Sequence, residues 1–163
     1  MTGYLRWRYA TKKFDPSRKI PERKFSGLLE SLRLAPSSYG LQPWKFVIVR
    51  DKALRKILRK HAWDQPQVTD ASHFIVLCAL KTMDENYVKT FTAQIARARG
   101  VARESLTGYE QMMLGSLKAL SPAALSGWMK RQVYLALGML LAQCACKKID
   151  SCPMEGFDAK KFN

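Results

Sequence analysis

Acidic side chains are scarce in this chain: 13 Asp and Glu face 28 Lys and Arg over 163 residues, a formal charge of +15. Such an excess attracts phosphates of any kind, whether on nucleic acid, anionic lipid or a nucleotide. The cations are scattered, however, over Arg6 to Lys19, Lys52 to Lys60 and Arg97 to Arg103, and no nucleic-acid-binding motif holds them. The charge alone therefore reads as a solvated basic surface, and no specific nucleic-acid partner is expected. Cysteine and histidine are also few. Cys78, Cys144, Cys146 and Cys152 form no C-x-x-C pair, and His61 and His73 stand far from them, so no metal site is expected. No apolar run approaches the roughly 20 residues of a membrane span. Arg6 and Arg8 are followed by no apolar signal core, which predicts a cytoplasmic protein without a membrane partner. Internal repeats, low-complexity linkers and a G-x-S-x-G elbow are absent too. Ser37, His73 and Asp70 can be written down as a hydrolase triad, but nothing in the sequence places them together.

What is present is a globular composition, 47% hydrophobic and 25% charged, long enough for one domain over residues 1–163 with a real core. Glu22 to Leu34 carries Phe25, Leu28, Leu29 and Leu32 at helical spacing, with Pro21 ahead of it and Pro36 behind. Trp44 to Val49 has the aromatic and β-branched content of a strand. Asp51 can cap a short helix carrying Leu54, Ile57 and Leu58. His61 to Asp70 reads as a loop. Ser72 to Leu80 reads as a central strand covered on both faces. Asp84 opens a helix with Val88, Phe91 and Ile95 on one side. Leu106 to Leu120 is a further helix, a loose cover with exposed methionines. Ser121-Pro122 starts a helix that is apolar nearly all round from Trp128 to Cys146, which predicts a core helix or a subunit interface. Ile149 to Cys152 reads as a short strand and Pro153 to Phe157 as a turn. The whole is a mixed α/β layer protein with few strands.

The stretch Ala35-Pro-Ser-Ser-Tyr-Gly-Leu-Gln-Pro-Trp44 is the least generic. Two prolines and a glycine give it a rigid, unusual path, and Ser37 and Ser38 offer hydroxyls and N–H groups to a polar ligand. Taken alone, the same serines serve equally as local backbone caps. Three other patches stand with it: Arg8-Tyr9-Ala10-Thr11-Lys12-Lys13-Phe14-Asp15, Asp70-Ala71-Ser72-His73, and Pro153-Met154-Glu155-Gly156-Phe157-Asp158.

In this order and spacing the chain resembles the FMN-dependent nitroreductase family, in its oxygen-insensitive NAD(P)H nitroreductase and dihydropteridine reductase branch. The resemblance spans nearly the whole chain. It implies an α+β fold, a mixed and mainly antiparallel sheet flanked by helices in three α/β/α layers. It also implies a homodimer with FMN at the interface, and ping-pong reduction of small-molecule acceptors (nitroaromatics, quinones, flavins) by NADH or NADPH. Site residues follow from the same resemblance. Arg8 would meet the FMN phosphate, with Tyr9 and Ala10 beside it. Lys12 would reach the N1/O2 edge, where a fixed cation stabilises the charge that reduction places there. Pro36, Ser37, Ser38 and Gly40 would reach the partner's flavin. Asp64 and Gln67 would lie at the pyrimidine end. Pro153, Met154, Glu155 and Gly156 would form the turn whose backbone N–H groups meet N5 and O4, with Glu155 nearest N5.

The departures are specific. Ala10 replaces a serine, while Asp64 and Gln67 stand where that branch has asparagine and lysine. An aspartate opposes negative charge on the flavin unless another donor intervenes. The family also continues beyond the equivalent of Asn163, with a helix, a strand completing the partner's sheet and a Lys/Arg pair for the phosphate. The resemblance thus implies a chain that is C-terminally truncated relative to the family, as a truncated product, as an incomplete sequence, or with dimerisation covering the gap differently, and FMN binding and activity depend on which holds. A non-catalytic, FMN-deficient binding or structural protein is the alternative. A basic nucleic-acid-binding protein ranks behind both, resting on charge alone.

Overall fold

Asp51 and Asp84, the two caps read from the sequence, fix the starts of two helices. In the computed structural model, which describes residues Thr2–Asn163, the Asp51 carboxylate accepts from Leu54 N at 2.7 Å and that of Asp84 from Tyr87 N at 2.8 Å. They open α3 (Lys52–Lys60) and α5 (Glu85–Arg99). The other helices are α1 (Thr2–Trp7), α2 (Glu22–Arg33), α4 (Gln67–Asp70), α6 (Thr107–Lys118), α7 (Pro122–Cys146) and α8 (Ala159–Phe162). Strands β1 (Trp44–Ile48) and β2 (Ile75–Ala79) pair in one sheet. Its register runs from Val49 N on Phe74 O (2.9 Å) to Leu80 N on Pro43 O (3.0 Å), which is antiparallel.

The chain forms two compact units. One holds the chain up to Ala35, Phe46–Leu77 and Ala136–Asn163; the other holds Pro36–Lys45 and Cys78–Leu135. In the first, Val49, Leu58, Ala62 and Val68 make a core against which Phe74, Val76, Met154, Phe157 and Phe162 pack. Helix α2 buries Phe25, Leu28 and Leu32, one stripe at helical spacing, each side chain worth about 1.5–3 kcal/mol. In the second unit Leu41, Met83, Val88, Met113, Leu114, Leu117 and Met129 make the core. Helix α5 ends on Gly100 at φ 64°, where the Gly100 N–H reaches Arg97 O and the Val101 N–H reaches Ala96 O. Only glycine takes that left-handed closing turn without strain.

Several expectations need correcting. Helix α3 buries Arg55 and Leu58 while Leu54 and Ile57 stand exposed, so an arginine takes the place of an apolar residue on the inner face. The supposed loop from His61 to Asp70 contains helix α4. The cause is Arg55: its Nε donates to Val68 O at 2.6 Å and its Nη2 to Ala71 O at 2.5 Å, gripping α4 from inside. Strand β2 is half-buried at all five residues rather than covered on both faces, because it has one strand neighbour. The buried stripe of α5 is Val88, Thr92 and Ala96, turned by one residue from the apolar reading. Thr92 can be buried there because its hydroxyl donates to Glu110 Oε2 and Lys89 O. Of the two α6 methionines Met112 is exposed and Met113 fully buried. The Ile149–Cys152 strand reduces to one parallel bridge between Ser151 and Ala10.

Removing the buried guanidinium strands two carbonyls, so Arg55→Ala should lose about 2–3 kcal/mol of unfolding free energy in urea, with Arg55→Lys recovering part of it. A second expectation concerns His73, whose ring stacks on Phe25 (centroids 3.6 Å apart, planes at 17°) and whose Nδ1 lies 3.0 Å from Ser72 Oγ. Burial lowers its pKa below the ordinary 6.5, against Glu22 and with help from Arg50, Arg55 and Lys19. The unfolded chain then binds the proton more readily than the folded one. Stability should be full above the ordinary value and fall as pH drops through the folded pKa. Thermal unfolding of wild type and His73→Gln across pH 5–8 checks this: the substitution should flatten the acid-side slope.

Candidate functional site

The first unit assembles its candidate residues around the Ala10–Ser151 bridge. Thr11 N donates to Ser151 O at 3.2 Å, which ties the segment after α1 to the segment after α7. Arg8, Tyr9, Ala10 and Lys12 thereby sit on a strand-like arm next to Ser151, two residues ahead of Pro153. Lys12 and Tyr9 are exposed, Arg8 half-buried and Thr11 buried. The turn Pro153–Gly156 is held from the other side. Met154 packs on the core, Gln65 Nε2 donates to Gly156 O at 2.8 Å, and Asp158 N donates to His61 O at 2.8 Å. Asp64 and Gln67 are joined to this turn through Gln65.

The backbone here is strained. Trp63 and Asp64 take consecutive left-handed conformations, φ 52° and 54°, unusual for side-chain-bearing residues. Trp63 is three-quarters exposed yet its ring lies over Gly156. A Cβ on Gly156 would run into Cζ3 and stand 2.6 Å from Cε3 of that ring, so the glycine is the condition for the approach.

Charge in this region is partly cancelled in place. Asp64 pairs with Arg59, Nε to Oδ1 at 2.9 Å, and Arg59 Nε also reaches Asp64 O. Arg59 thus sets a positive charge directly beside the exposed Asp64 carboxylate. Among the described residues, three buried polar side-chain atoms have no hydrogen-bond partner: Arg8 Nε, Thr11 Oγ1 and Gln67 Oε1. Such atoms are costly and uncommon in folded chains. Two of the three belong to residues singled out from the sequence.

The second unit holds Pro36, Ser37, Ser38 and Gly40. Ser37 Oγ accepts from Gln42 N at 2.8 Å, so this hydroxyl closes its own loop, whereas Ser38 N donates to Oε1 of buried Gln132 at 2.9 Å. Tyr39, Gly40 and Gln42 have φ of 57°, 69° and 46°. Tyrosines hold this path: Tyr109 OH donates to Tyr39 O (2.8 Å), and Tyr87 OH donates to Leu41 O (2.8 Å) and Gln42 O (3.2 Å). Four candidate residues thus lie in this loop of the second unit and ten in the first unit.

Sequence reading missed Arg59, Gln65, Thr11, Gln132, Tyr87 and Tyr109. Arg59 and Asp64 are five apart across a helix end, a spacing that no helical pairing rule flags. Gln132 lies in α7, far along the chain from Ser38. Thr11 alone had a signal, standing between two residues already chosen.

Comparison with known proteins fits this geometry. The profile of the Nitroreductase family matches residues 5–163. The chain belongs to the nitroreductase family. It is 39% identical over 158 residues to a Staphylococcus aureus protein whose name is that of an NAD(P)H nitroreductase, covering 93% of this chain and 70% of that one. The crystal structure of a nitroreductase-like protein from Streptococcus mutans superposes with a TM-score of 0.86 at 24% identity, covering 99% of this chain and 78% of the other. A nitroreductase from Exiguobacterium sibiricum, solved in complex with FMN, gives 0.80 at 20% identity, covering 99% and 79%. The fold is thus the α+β nitroreductase fold, here rich in helix with a small antiparallel sheet.

Gly156→Ala should push the Trp63 ring aside at a stability cost below about 1 kcal/mol, because the ring is exposed and can move. Its tryptophan emission should differ from wild type, and the difference should vanish when both proteins carry Trp63→Phe.

Proposed function

We propose that this member of the nitroreductase family is an FMN-dependent NAD(P)H oxidoreductase reducing nitroaromatics, quinones or related small acceptors. It works as a cytoplasmic homodimer with FMN at the subunit interface. The observation that carries the reading is the pair of buried, unpartnered polar atoms, Arg8 Nε and Gln67 Oε1, in the unit that also builds the Gly156 turn. A guanidinium suits a phosphate dianion, and a carboxamide offers both donor and acceptor to the edge of a flavin. The residues present therefore fit the group.

Bound FMN supplies two-electron chemistry, taking reducing equivalents from NAD(P)H and passing them to the acceptor in turn. The protein's part is to bind and bias. Arg8 would hold the phosphate, flanked by Tyr9 and Ala10. Lys12, exposed on the same arm, favours negative charge at the N1/O2 edge. Asp64 would oppose that charge, and its pairing with Arg59 sets a cation beside it. Backbone N–H groups of Met154, Glu155 and Gly156 would serve the N5 and O4 side of the flavin. Pro36, Ser37, Ser38 and Gly40 serve the partner subunit's flavin. On α7, Tyr134 and Leu135 are 54% and 50% exposed, apolar surface that a second copy would cover.

FMN titration followed by flavin absorbance tests this. One FMN should bind per subunit, NADPH or NADH should bleach it, and Arg8→Gln should weaken binding by about tenfold or more without moving the unfolding midpoint. A colourless protein in excess FMN, with no reductase activity, would sink the proposal and leave a flavin-free member of the family.

A further inference from the structure

We propose that a cleft on the first unit, bounded by the Lys13–Pro21 segment, Ala71–Ser72 and Lys148–Asp150, binds a small polyphosphate. The cleft has a volume of about 370 Å³, within the range of small-molecule sites. Five cations line it: Lys13, Arg18, Lys19, Lys24 and Lys148. They come from opposite ends of the sequence and share one concave surface. None of the five takes part in the ion pairs formed among the described residues. Lys148 is steadied by rings instead, its Nζ 4.7 Å from the Trp7 centroid and 5.5 Å from that of Tyr4.

Two carboxylates oppose them, and one is already engaged. Asp15 Oδ1 accepts from Ser17 N at 2.9 Å and Ser17 Oγ at 2.6 Å, closing its own turn. These bonds and nearby Arg18 keep Asp15 ionised, so Asp15 and Asp150 both offset part of the charge of the five cations. Pro21, the N-cap of twelve-residue α2, also lines the cleft and supplies no side-chain cap, so the positive end of that helix adds to the field. A basic concavity of this kind focuses potential more than the same charges spread on a convex face.

The chemistry selects the ligand class. One monovalent anion cannot satisfy cations on three separate segments, whereas a diphosphate presents several oxygens and at least two charges. Arg18 gives a planar fork and the lysines give movable point charges, the usual division of labour around phosphates. Arg8 and Lys12 do not line the cleft, so it is separate from the residues assigned to FMN. The proposal stands whether or not the flavin reading does.

Calorimetric titration of the intact chain with inorganic pyrophosphate at physiological salt is the test, run with and without saturating FMN, and repeated with ADP and with a short DNA duplex. Pyrophosphate should bind once per chain. Lys19→Gln with Lys24→Gln, both exposed, should weaken it by about tenfold, and Asp150→Asn should tighten it by about twofold. FMN affinity should stay unchanged in these variants. ADP binding as tightly as pyrophosphate would support recognition of the diphosphate alone; tighter binding would support a nucleotide. Absence of binding, indifference to all three substitutions, or displacement by FMN would overturn the proposal. So would variant-sensitive binding of the duplex without binding of pyrophosphate, since that marks an extended polyanion surface.

Discussion

A charged side chain buried in a small core has to be fully employed, and Arg55 sets the terms for its unit. Its guanidinium is 6% exposed and donates to the carbonyls of Val68 and Ala71, with Ser72 O at 3.5 Å from Nη1. Those carbonyls belong to α4 and to the link that enters β2. Burial lowers the pKa of Arg55, with Asp70 opposing, yet arginine keeps its proton at any ordinary pH. The positions of Gln67 within α4 and of Ser72 and His73 beyond it are therefore consequences of one side chain. A leucine on α3 would have filled the same space and left the α4 carbonyls unanswered.

The candidate site is built by the same means, polar bonds that fix backbone in unusual conformations. Left-handed Trp63 and Asp64 are held by the Arg59 pair, and left-handed Tyr39 and Gln42 by tyrosine hydroxyls. Each such conformation costs on the order of 1–3 kcal/mol, and neighbouring bonds have to offset it. Within each unit these bonds hold the strained loop to a fixed path. Buried Cys144, by contrast, lies outside this chemistry. Burial pushes the Cys144 thiol up to about 11, far from reactive thiolate.

Much of the fold was legible because local signals and tertiary packing agree. Helix α2 follows its apolar stripe, α3 and α5 begin at their aspartate caps, and β1 spans Trp44–Ile48 as its β-branched run predicts. Where the reading went astray, a long-range bond overrode the local pattern. Helix α4 is four residues long and has no apolar period of its own; Arg55 supplies its reason to exist. The Ile149–Cys152 run has strand composition but finds a single partner residue, Ala10. For the site, residue types were legible and their supports were not. Gln132 under Ser38 and Arg59 beside Asp64 depend on how the chain returns on itself, which spacing does not encode.

The Ala10–Ser151 bridge joins residues near the two ends of the chain. During synthesis the arm bearing Arg8 and Lys12 leaves the ribosome early and has no docking partner until α7 and the segment after it have emerged. Closing so large a loop is an entropic cost met late, after the cores of both units can form. The basic arm, with its aromatic neighbours Tyr4, Trp7 and Tyr9, therefore stays untethered until the segment bearing Ser151 has left the ribosome.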